Sequence, residues 1–225
     1  MPIFILKNLN TLVITSYKVM YTNLRYSDHH KTTIKKVRWN TNHLVVLNLL
    51  NLFKKRPYVV MFVREPYKRI LSLYFNKITD FAKLVMEGKK KKFDRCQKVI
   101  FPLLNIDKGL PVKEKARALS EVTFEQFVNI LPKASKLEKH YYTQQESQVF
   151  KIKPFFSYRF KPHEIIKMEE MDINSIYEKF GIDFRKKVNP SKSSNYKLDD
   201  FYTPELKKTI SSVYREDFES FNYPL

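Results

Sequence analysis

The fold is indicated first by one stretch of the chain, Tyr58–Tyr74, which reads YVVMFVREPYKRILSLY. Its first six residues are continuously apolar and rich in β-branched side chains, a pattern typical of a strand buried on both faces of a parallel sheet. Pro66 then suits the first turn of a helix, where its missing N–H would have no partner in any case. The stretch therefore predicts a strand followed at once by a helix, which we expect to run to about Lys77.

The segments before this stretch extend the same alternation. Residues 2–6 are a short β-rich run, and apolar residues between Leu12 and about Arg25 recur at helical spacing. A second helical region, about 40–54, ends at the basic run before Pro57. The order β-α-α-β-α over residues 1–78 predicts an α/β fold with a three-layer arrangement, in which helices flank a mostly parallel central sheet.

The second half of the chain shows further elements but no repeat and no long linker. We predict a helix from Thr123, whose capping box includes Gln126, strands at 148–152 and 164–168, a short helix ending at Gly181, a polar loop at 189–199, and a last helix from Pro204 to about Phe221. A single domain spanning residues 1–225 is the simplest interpretation.

The composition restricts the kinds of ligand. The chain has 225 residues, with 42 Lys and Arg against 23 Asp and Glu, and a net charge of +19. Its first hundred residues hold 21 basic and five acidic side chains, a net +16. Such a field attracts anions: nucleic acid, acidic polysaccharide or a polyphosphorylated nucleotide. Only three glycines are present, so the glycine-rich phosphate-binding motifs are excluded, and the single cysteine, Cys96, excludes an internal disulfide.

Two predicted strand-to-helix junctions carry the candidate binding residues. Ligands of open parallel sheets lie beyond the carboxyl ends of the strands, and a helix N-terminus there favours phosphate. At the second junction Arg64 leaves the strand, and Ser72 lies about two turns into the helix. We expect two anion sites on one edge of the sheet. The residues of the first junction are Lys7, Asn8, Leu9, Asn10, Thr11 and Leu12.

At these junctions the chain resembles the carbohydrate (Golgi-type, family 2) sulfotransferases, which use 3′-phosphoadenosine-5′-phosphosulfate (PAPS). Their second phosphate motif, R-[DE]-P-x-x-R-x-x-S-x-Y, is matched at every fixed position within residues 64–74. The first motif, P-K-x-x-[GS]-T-[ST], is matched only at Lys7 and Thr11. Similar segments follow in the family's order: Thr123–Phe127, His140–Gln144, Lys167–Met171, and a closing Y-x-x-D-F-x-x-F-x-Y helix at 214–223.

The resemblance implies a fold like that of the P-loop nucleotide hydrolases and a sulfuryl transfer from PAPS to an acceptor hydroxyl. We expect this hydroxyl to be that of a carbohydrate, with anionic carbohydrates among the candidates. It implies that Arg64 and Ser72 hold the 3′-phosphate of the donor and its product PAP. Lys7 would stabilise the bridging oxygen, while Thr11 and the N–H groups of residues 8–12 would hold the 5′-phosphate. Lys192 lies in a loop that closes over the nucleotide in relatives. No metal is required.

A base must lie within reach of the acceptor hydroxyl. Four candidates are His140, His29, His30 and Glu65, of which His140 is favoured because its segment lies near the substrate cleft in relatives. Glu65 is better explained as a cap of its own helix or a partner of Arg69. Cys96 is expected to have no functional role.

Two other function classes remain open: a basic nucleic-acid-binding protein, whose binding would weaken steeply with salt, and an anionic-glycan-binding protein without catalysis. The opening residues lack the pattern of a signal peptide and no apolar run has the length of a membrane span. We therefore expect a cytoplasmic protein of bacterial or viral origin.

Overall fold

A computed structural model describes residues 3–6, 9–20, 24, 34–36, 58–152, 156–159, 161–184 and 196–225. The chain divides into two compact units: Met1–Arg64 with Gln144–Asn189, and Glu65–Thr143 with Pro190–Leu225. Among the described residues no helix is both long and apolar enough to span a membrane.

The first unit contains the central sheet. Its described strands are β1 Ile3–Leu6, β2 Thr11–Thr15, β3 Ile34–Lys36, β4 Tyr58–Val63, β5 Val149–Ile152, β6 Phe156–Arg159 and β7 Glu164–Lys167. Five of them form one mixed sheet in the order β3-β1-β2-β4-β7, while β5 and β6 pair antiparallel by themselves. Within the large sheet β1 is antiparallel to β2 and β3, whereas β2, β4 and β7 run parallel.

The predicted α/β class is confirmed, and so are the strands at 2–6, 58–63, 148–152 and 164–168, to within two residues at their ends. The parallel half of the sheet is the half that contains β4, as its continuous apolar sequence predicts. The predicted helix at about 40–54 lies outside the described residues.

The predicted helix from Leu12 to about Arg25 is wrong, because Thr11–Thr15 forms strand β2. All five residues of this strand are buried. Three consecutive apolar residues followed by a threonine fit a strand that is covered on both faces. The turn into β2 includes Asn10 at a left-handed φ of 45°, a conformation that asparagine adopts more readily than most residues.

In the described part of the first unit, one helix, α6, packs on the sheet. It spans Ile173–Phe180, begins at the capping side chain of Asp172 and ends at Gly181, whose φ of 67° favours glycine. Its Ile176 and Phe180 join a core of strand residues that includes Phe4, Val13, Val60, Phe62 and Ile166.

The second unit is helical. Its helices are α1 Pro66–Tyr74, α2 Asp80–Met86, α3 Arg95–Ile100, α4 Val112–Ser120, α5 Phe124–Leu137, α7 Pro204–Val213 and α8 Arg215–Ser220. Residues 75–79 form a π-helical turn that joins α1 to α2, so the predicted helix continues past residue 77 to Met86. Gln97 donates its side-chain amide to the carbonyl of Lys77 within this turn, at 3.0 Å. We predicted no helix of its own within residues 79–120, where the structure has α2, α3 and α4.

Two predicted helix starts are confirmed. Thr123 and Gln126 form the reciprocal capping box of α5, and Thr203 caps α7 ahead of Pro204. The predicted single last helix is interrupted at Tyr214, and α8 begins at the next residue, Arg215. Aromatic side chains dominate this unit's core: Tyr67 contacts both Tyr202 and Phe218, with ring centroids 5.2 and 5.0 Å apart.

Candidate functional site

The carboxyl ends of three parallel strands lie at one edge of the sheet in the first unit. In β2, β4 and β7, Thr15 lies opposite Phe62, and Val63 lies opposite Lys167. Arg64 follows β4 directly and is half-buried. A cationic side chain therefore lies where open α/β sheets bind their ligands, as predicted.

The main chain of Arg64 is held by the side chain of Gln144. The N–H of Arg64 donates to Oε1 of Gln144 at 2.8 Å, and Nε2 of Gln144 donates to the carbonyl of Arg64 at 2.7 Å. Gln144 is fully buried, and its amide satisfies both backbone polar groups of Arg64, as a neighbouring strand would. This role of Gln144, the last residue of the family-like segment His140–Gln144, was missed because only the three-dimensional structure brings it next to Arg64.

A second loop starts at the same edge, from the end of β2. In residues 16–20, Lys18 and Met20 have left-handed φ values of 71° and 48°, a conformation rare for residues with side chains. The carbonyl of Lys18 lies 3.5 Å from Nη1 of Arg64, and the hydroxyl of Thr15 donates to the carbonyl of Val19. Strained non-glycine backbone of this kind concentrates at ligand-binding sites.

The structure contradicts the prediction that a helix begins among residues 9–12 at this edge. Because β1 and β2 are antiparallel neighbours, the turn between them lies at the opposite end of β2 from residues 16–20. Thr11 and Leu12 are buried strand residues, and Thr11 donates its hydroxyl to the carbonyl of Leu9 at 3.0 Å. No helix begins at Asn10, Thr11 or Leu12, so the expected helix N-terminus is absent from this stretch.

Several predicted residues lie outside the part of the chain that the structure describes. They are Lys7, Asn8, His29, His30 and Lys192. Their assigned roles stay predictions.

Helix α1 begins as predicted at Pro66, with Glu65 as its N-cap. The Glu65 carboxylate accepts hydrogen bonds from the N–H groups of Tyr67 at 2.9 Å and Lys68 at 2.7 Å, which confirms its interpretation as a cap. Two of the N–H groups at this helix start are thus already bonded by the chain itself. Ser72 lies in the second turn of α1 and is buried, and its proposed contact with a phosphate stays a prediction.

The other arginine of the motif, Arg69, supports the chain near His140. It is 1% exposed and donates from Nη2 to the carbonyl of Tyr142. Its Nη1 lies 3.8 Å from Oδ2 of the fully buried Asp217, and its guanidinium lies over the ring of Tyr214 at 5.5 Å. The hydroxyl of Tyr214 donates to the carbonyl of Tyr141 at 2.8 Å. Arg69 of the second phosphate motif and Tyr214 of the closing helix motif therefore both hold the backbone of one turn, residues 140–142.

His140 lies in that turn beside Glu138. Oε2 of Glu138 is 2.7 Å from both the backbone nitrogen and Nδ1 of His140. The imidazole is 16% exposed, and the carboxylate is 2% exposed. Burial lowers the pKa of His140, and its contact with Glu138 opposes this shift without cancelling it. A neutral imidazole is the form that accepts a proton.

Cys96 is buried, and burial raises its pKa to about 11. A thiol in this state is a poor nucleophile, which fits the expectation that it has no functional role. Among the described residues, no three His, Cys, Asp or Glu side chains group as a metal site would require.

These features are those of an α/β protein whose sheet edge suits an anionic ligand. A family model described as the sulfotransferase family matches residues 4–224, and the chain therefore belongs to the sulfotransferase family. No curated protein and no solved structure gives a match to it.

Two residues of interest were missed from the sequence, Lys18 and Glu138. Lys18 was placed inside a predicted helix, although the run Leu12–Thr15 before it has the composition of a strand. Glu138 precedes His140 by two residues at the end of the helix that begins after Thr123. A carboxylate two residues from a histidine in a turn was the available signal.

Proposed function

We propose that the protein transfers a sulfuryl group from PAPS to a hydroxyl of an acceptor, and that this acceptor is a carbohydrate. Family membership over residues 4–224 supports sulfuryl transfer in general. The observation that carries the finer proposal is Arg64, at the carboxyl end of β4, because it begins a fully matched 3′-phosphate motif. Together with Ser72, it is our proposed ligand of that phosphate.

For the 5′-phosphate side of the donor, the loop at residues 16–20 is the better supported candidate. It follows a strand parallel to β4, and Lys18 contributes a positive charge. Backbone N–H groups next to left-handed residues form concave anion sites without glycine. The assignment of Lys7, Asn8, Leu9, Asn10, Thr11 and Leu12 stays a competing prediction.

One pair of variants separates the two loops. If the loop after β2 binds the donor, Lys18→Ala raises the KM for PAPS roughly tenfold or more, whereas Lys7→Ala leaves it nearly unchanged. The reverse result would restore the hairpin assignment.

His140 is the proposed base. Its Nε2 would take the proton of the acceptor hydroxyl while the acceptor oxygen forms its bond to sulfur. The bond between sulfur and the donor's phosphate oxygen breaks, and its electron pair stays on the departing nucleotide. Cationic side chains near that oxygen stabilise the developing charge, as in phosphoryl transfer.

A basic surface in the second unit favours an anionic carbohydrate. Lys89–Lys92 are exposed; Lys89 pairs with Glu87 at 2.7 Å, and Lys90 lies over the ring of Phe81 at 4.8 Å. Four successive lysines with two acidic neighbours, Glu87 and Asp94, retain excess positive charge. Such a surface attracts sulfate or carboxylate groups of a glycan.

Binding of PAP by isothermal calorimetry tests the nucleotide part of the proposal. We expect saturable binding that Arg64→Ala weakens roughly 10- to 100-fold, since a charge-assisted hydrogen bond is lost. Lys68→Ala is the matched control, because it removes one positive charge from an exposed position four residues from Arg64. Absence of saturable binding by the wild-type protein would refute the proposal.

Incubation with labelled PAPS and a panel of glycans, lipids and tyrosyl peptides tests the acceptor. Sulfated glycan as the main product supports the proposal, and transfer only to a lipid or peptide contradicts its carbohydrate part. Tight nucleic-acid binding with a steep salt dependence, without PAP binding or transfer, would instead support the non-catalytic alternative.

A further inference from the structure

The carboxylate of Glu138 is buried at the point where helix α5 ends. The residue is 3% exposed, and its backbone has left the helical conformation, with φ −147° and ψ 131°. A buried carboxylate is costly unless its oxygens are hydrogen-bonded. Here a single oxygen, Oε2, serves both the backbone N–H and the ring Nδ1 of His140, each at 2.7 Å.

The main chain of Glu138 fixes the same turn. Its N–H donates to the carbonyl of Ala134 at 3.2 Å, and its carbonyl accepts from the N–H of Tyr141 at 2.9 Å. Tyr141 is fully buried, and its hydroxyl donates to the carbonyl of Cys96 at 2.9 Å. The imidazole of His140 is therefore held by both its backbone and its ring.

This contact sets the tautomer of the imidazole. An ionised carboxylate only accepts hydrogen bonds, so the nitrogen that faces it carries the proton. Burial by itself would raise the pKa of Glu138, but the hydrogen bonds and charge of His140 outweigh it, and the pKa of Glu138 is lowered. The carboxylate is thus ionised at neutral pH, Nδ1 carries the hydrogen, and Nε2 carries the lone pair.

We infer that Glu138 is a positioning residue that holds His140 as its Nδ1–H tautomer, so that Nε2 faces away from the carboxylate as proton acceptor. The inference rests on the proposed function in one respect: that function identifies the acceptor hydroxyl as the group that gives its proton to Nε2. After proton transfer, the same carboxylate stabilises the imidazolium by a charge-assisted hydrogen bond. Glu138 itself takes no proton and touches no substrate.

Other charges act on this imidazole. Lys77, in the π-helical turn, and Lys139, its neighbour in the chain, both lower the pKa of His140, whereas Glu138 raises it. Removal of the Glu138 charge leaves the two lysines and burial acting in the same direction. The pKa of His140 then falls further, and its imidazolium forms less readily.

The experiment is an imidazole ¹⁵N NMR titration of the full chain, with His140→Gln used to identify the His140 signals among the five histidines. We expect the Nδ1–H tautomer at neutral pH in the wild-type protein. Glu138→Gln keeps the shape and removes the charge, and we expect it to lower the pKa of His140 by about 1. Glu125→Gln on the exposed start of α5 is the matched control and leaves both readings unchanged.

Transfer kinetics complete the test. Glu138→Gln should lower kcat about tenfold or more, a part of what general base catalysis contributes, with little change in the KM for PAPS. Glu138→Asp should recover part of the loss. A wild-type Nε2–H tautomer, or an unchanged pKa in Glu138→Gln, would overturn the inference even if transfer were normal. Expected NMR results with no transfer to any acceptor would refute the proposed function instead, since the spectra do not depend on it.

Discussion

The buried pair formed by Arg69 and Asp217 gives the most stringent test of how the second unit is stabilised. Their side chains are 1% and 0% exposed, with Nη1 and Oδ2 3.8 Å apart. At the effective dielectric constant of about 20 that suits protein sites, two unit charges at this distance interact by about 4 kcal/mol. Asp217→Asn keeps the shape but removes the negative charge that lies beside the buried guanidinium of Arg69. We expect it to lower the free energy of unfolding by about 3–5 kcal/mol.

The assay is urea unfolding at neutral pH, followed by circular dichroism, for wild type, Asp217→Asn, Arg69→Met and the double variant. Arg69→Met also removes the hydrogen bond to Tyr142, so only the cycle isolates the pair. The double variant should lose less than the sum of the single losses, with a coupling energy of about 1–3 kcal/mol. Glu219→Gln is the control.

Glu219 lies on the same helix, α8, but pairs with Arg215 at an exposed position, so we expect a change within about 0.5 kcal/mol. An Asp217→Asn loss below about 1 kcal/mol would refute the reasoning, and so would a cycle that is additive to within about 0.5 kcal/mol. Either result would mean that water or other polar groups compensate the charge.

Three further outcomes are expected. Gln144→Leu removes both side-chain hydrogen bonds to the backbone of Arg64. It should lower the free energy of unfolding by about 2–4 kcal/mol and weaken PAP binding. An unchanged midpoint of urea unfolding would contradict this. Cys96, whose burial raises its pKa to about 11, should react with a thiol reagent at pH 8 only after denaturation, and fast labelling of the native protein would show that it is accessible. Thr123→Ala should cost about 0.5–2 kcal/mol through loss of the capping box with Gln126, and the same loss in a Thr123→Ser variant would show that the cap is not the cause.

The sequence predicts a structural element correctly where its signal is carried by adjacent residues. The apolar run of β4, Pro66 at the first turn of α1 and the Thr123–Gln126 capping box each depend on a few adjacent residues, and each was predicted correctly. Glycine at 181 likewise marked the end of α6, because a left-handed C-cap favours it.

The hairpin of β1 and β2 was missed because two local signals conflict. Apolar residues between 12 and 24 fit a helical period, whereas the composition of Leu12–Thr15 favours a strand. The pairing of Thr11–Thr15 with β1 and β4 decides for the strand. This error led to the prediction of a helix N-terminus at residues 10–12, where the structure has the start of β2 instead. Tertiary pairing overrides periodicity in short segments.

The contacts that hold the turn around His140 could not be predicted from the sequence either. Arg69 and Asp217 are 148 positions apart in the chain, and nothing in their local sequence indicates that they pair. The motif match identified them as family positions without showing what they do. The structure assigns them to the turn that carries His140.

The anchoring of this turn has a consequence for biosynthesis. A nascent chain emerges from its amino end, so the segment with Glu138 and His140 is made well before Tyr214 and Asp217. Until α8 has been synthesised, Asp217 is not there to pair with Arg69, and before Tyr214 is made its hydroxyl cannot donate to the carbonyl of Tyr141. The turn that carries the proposed base therefore gains these stabilising contacts only late in synthesis.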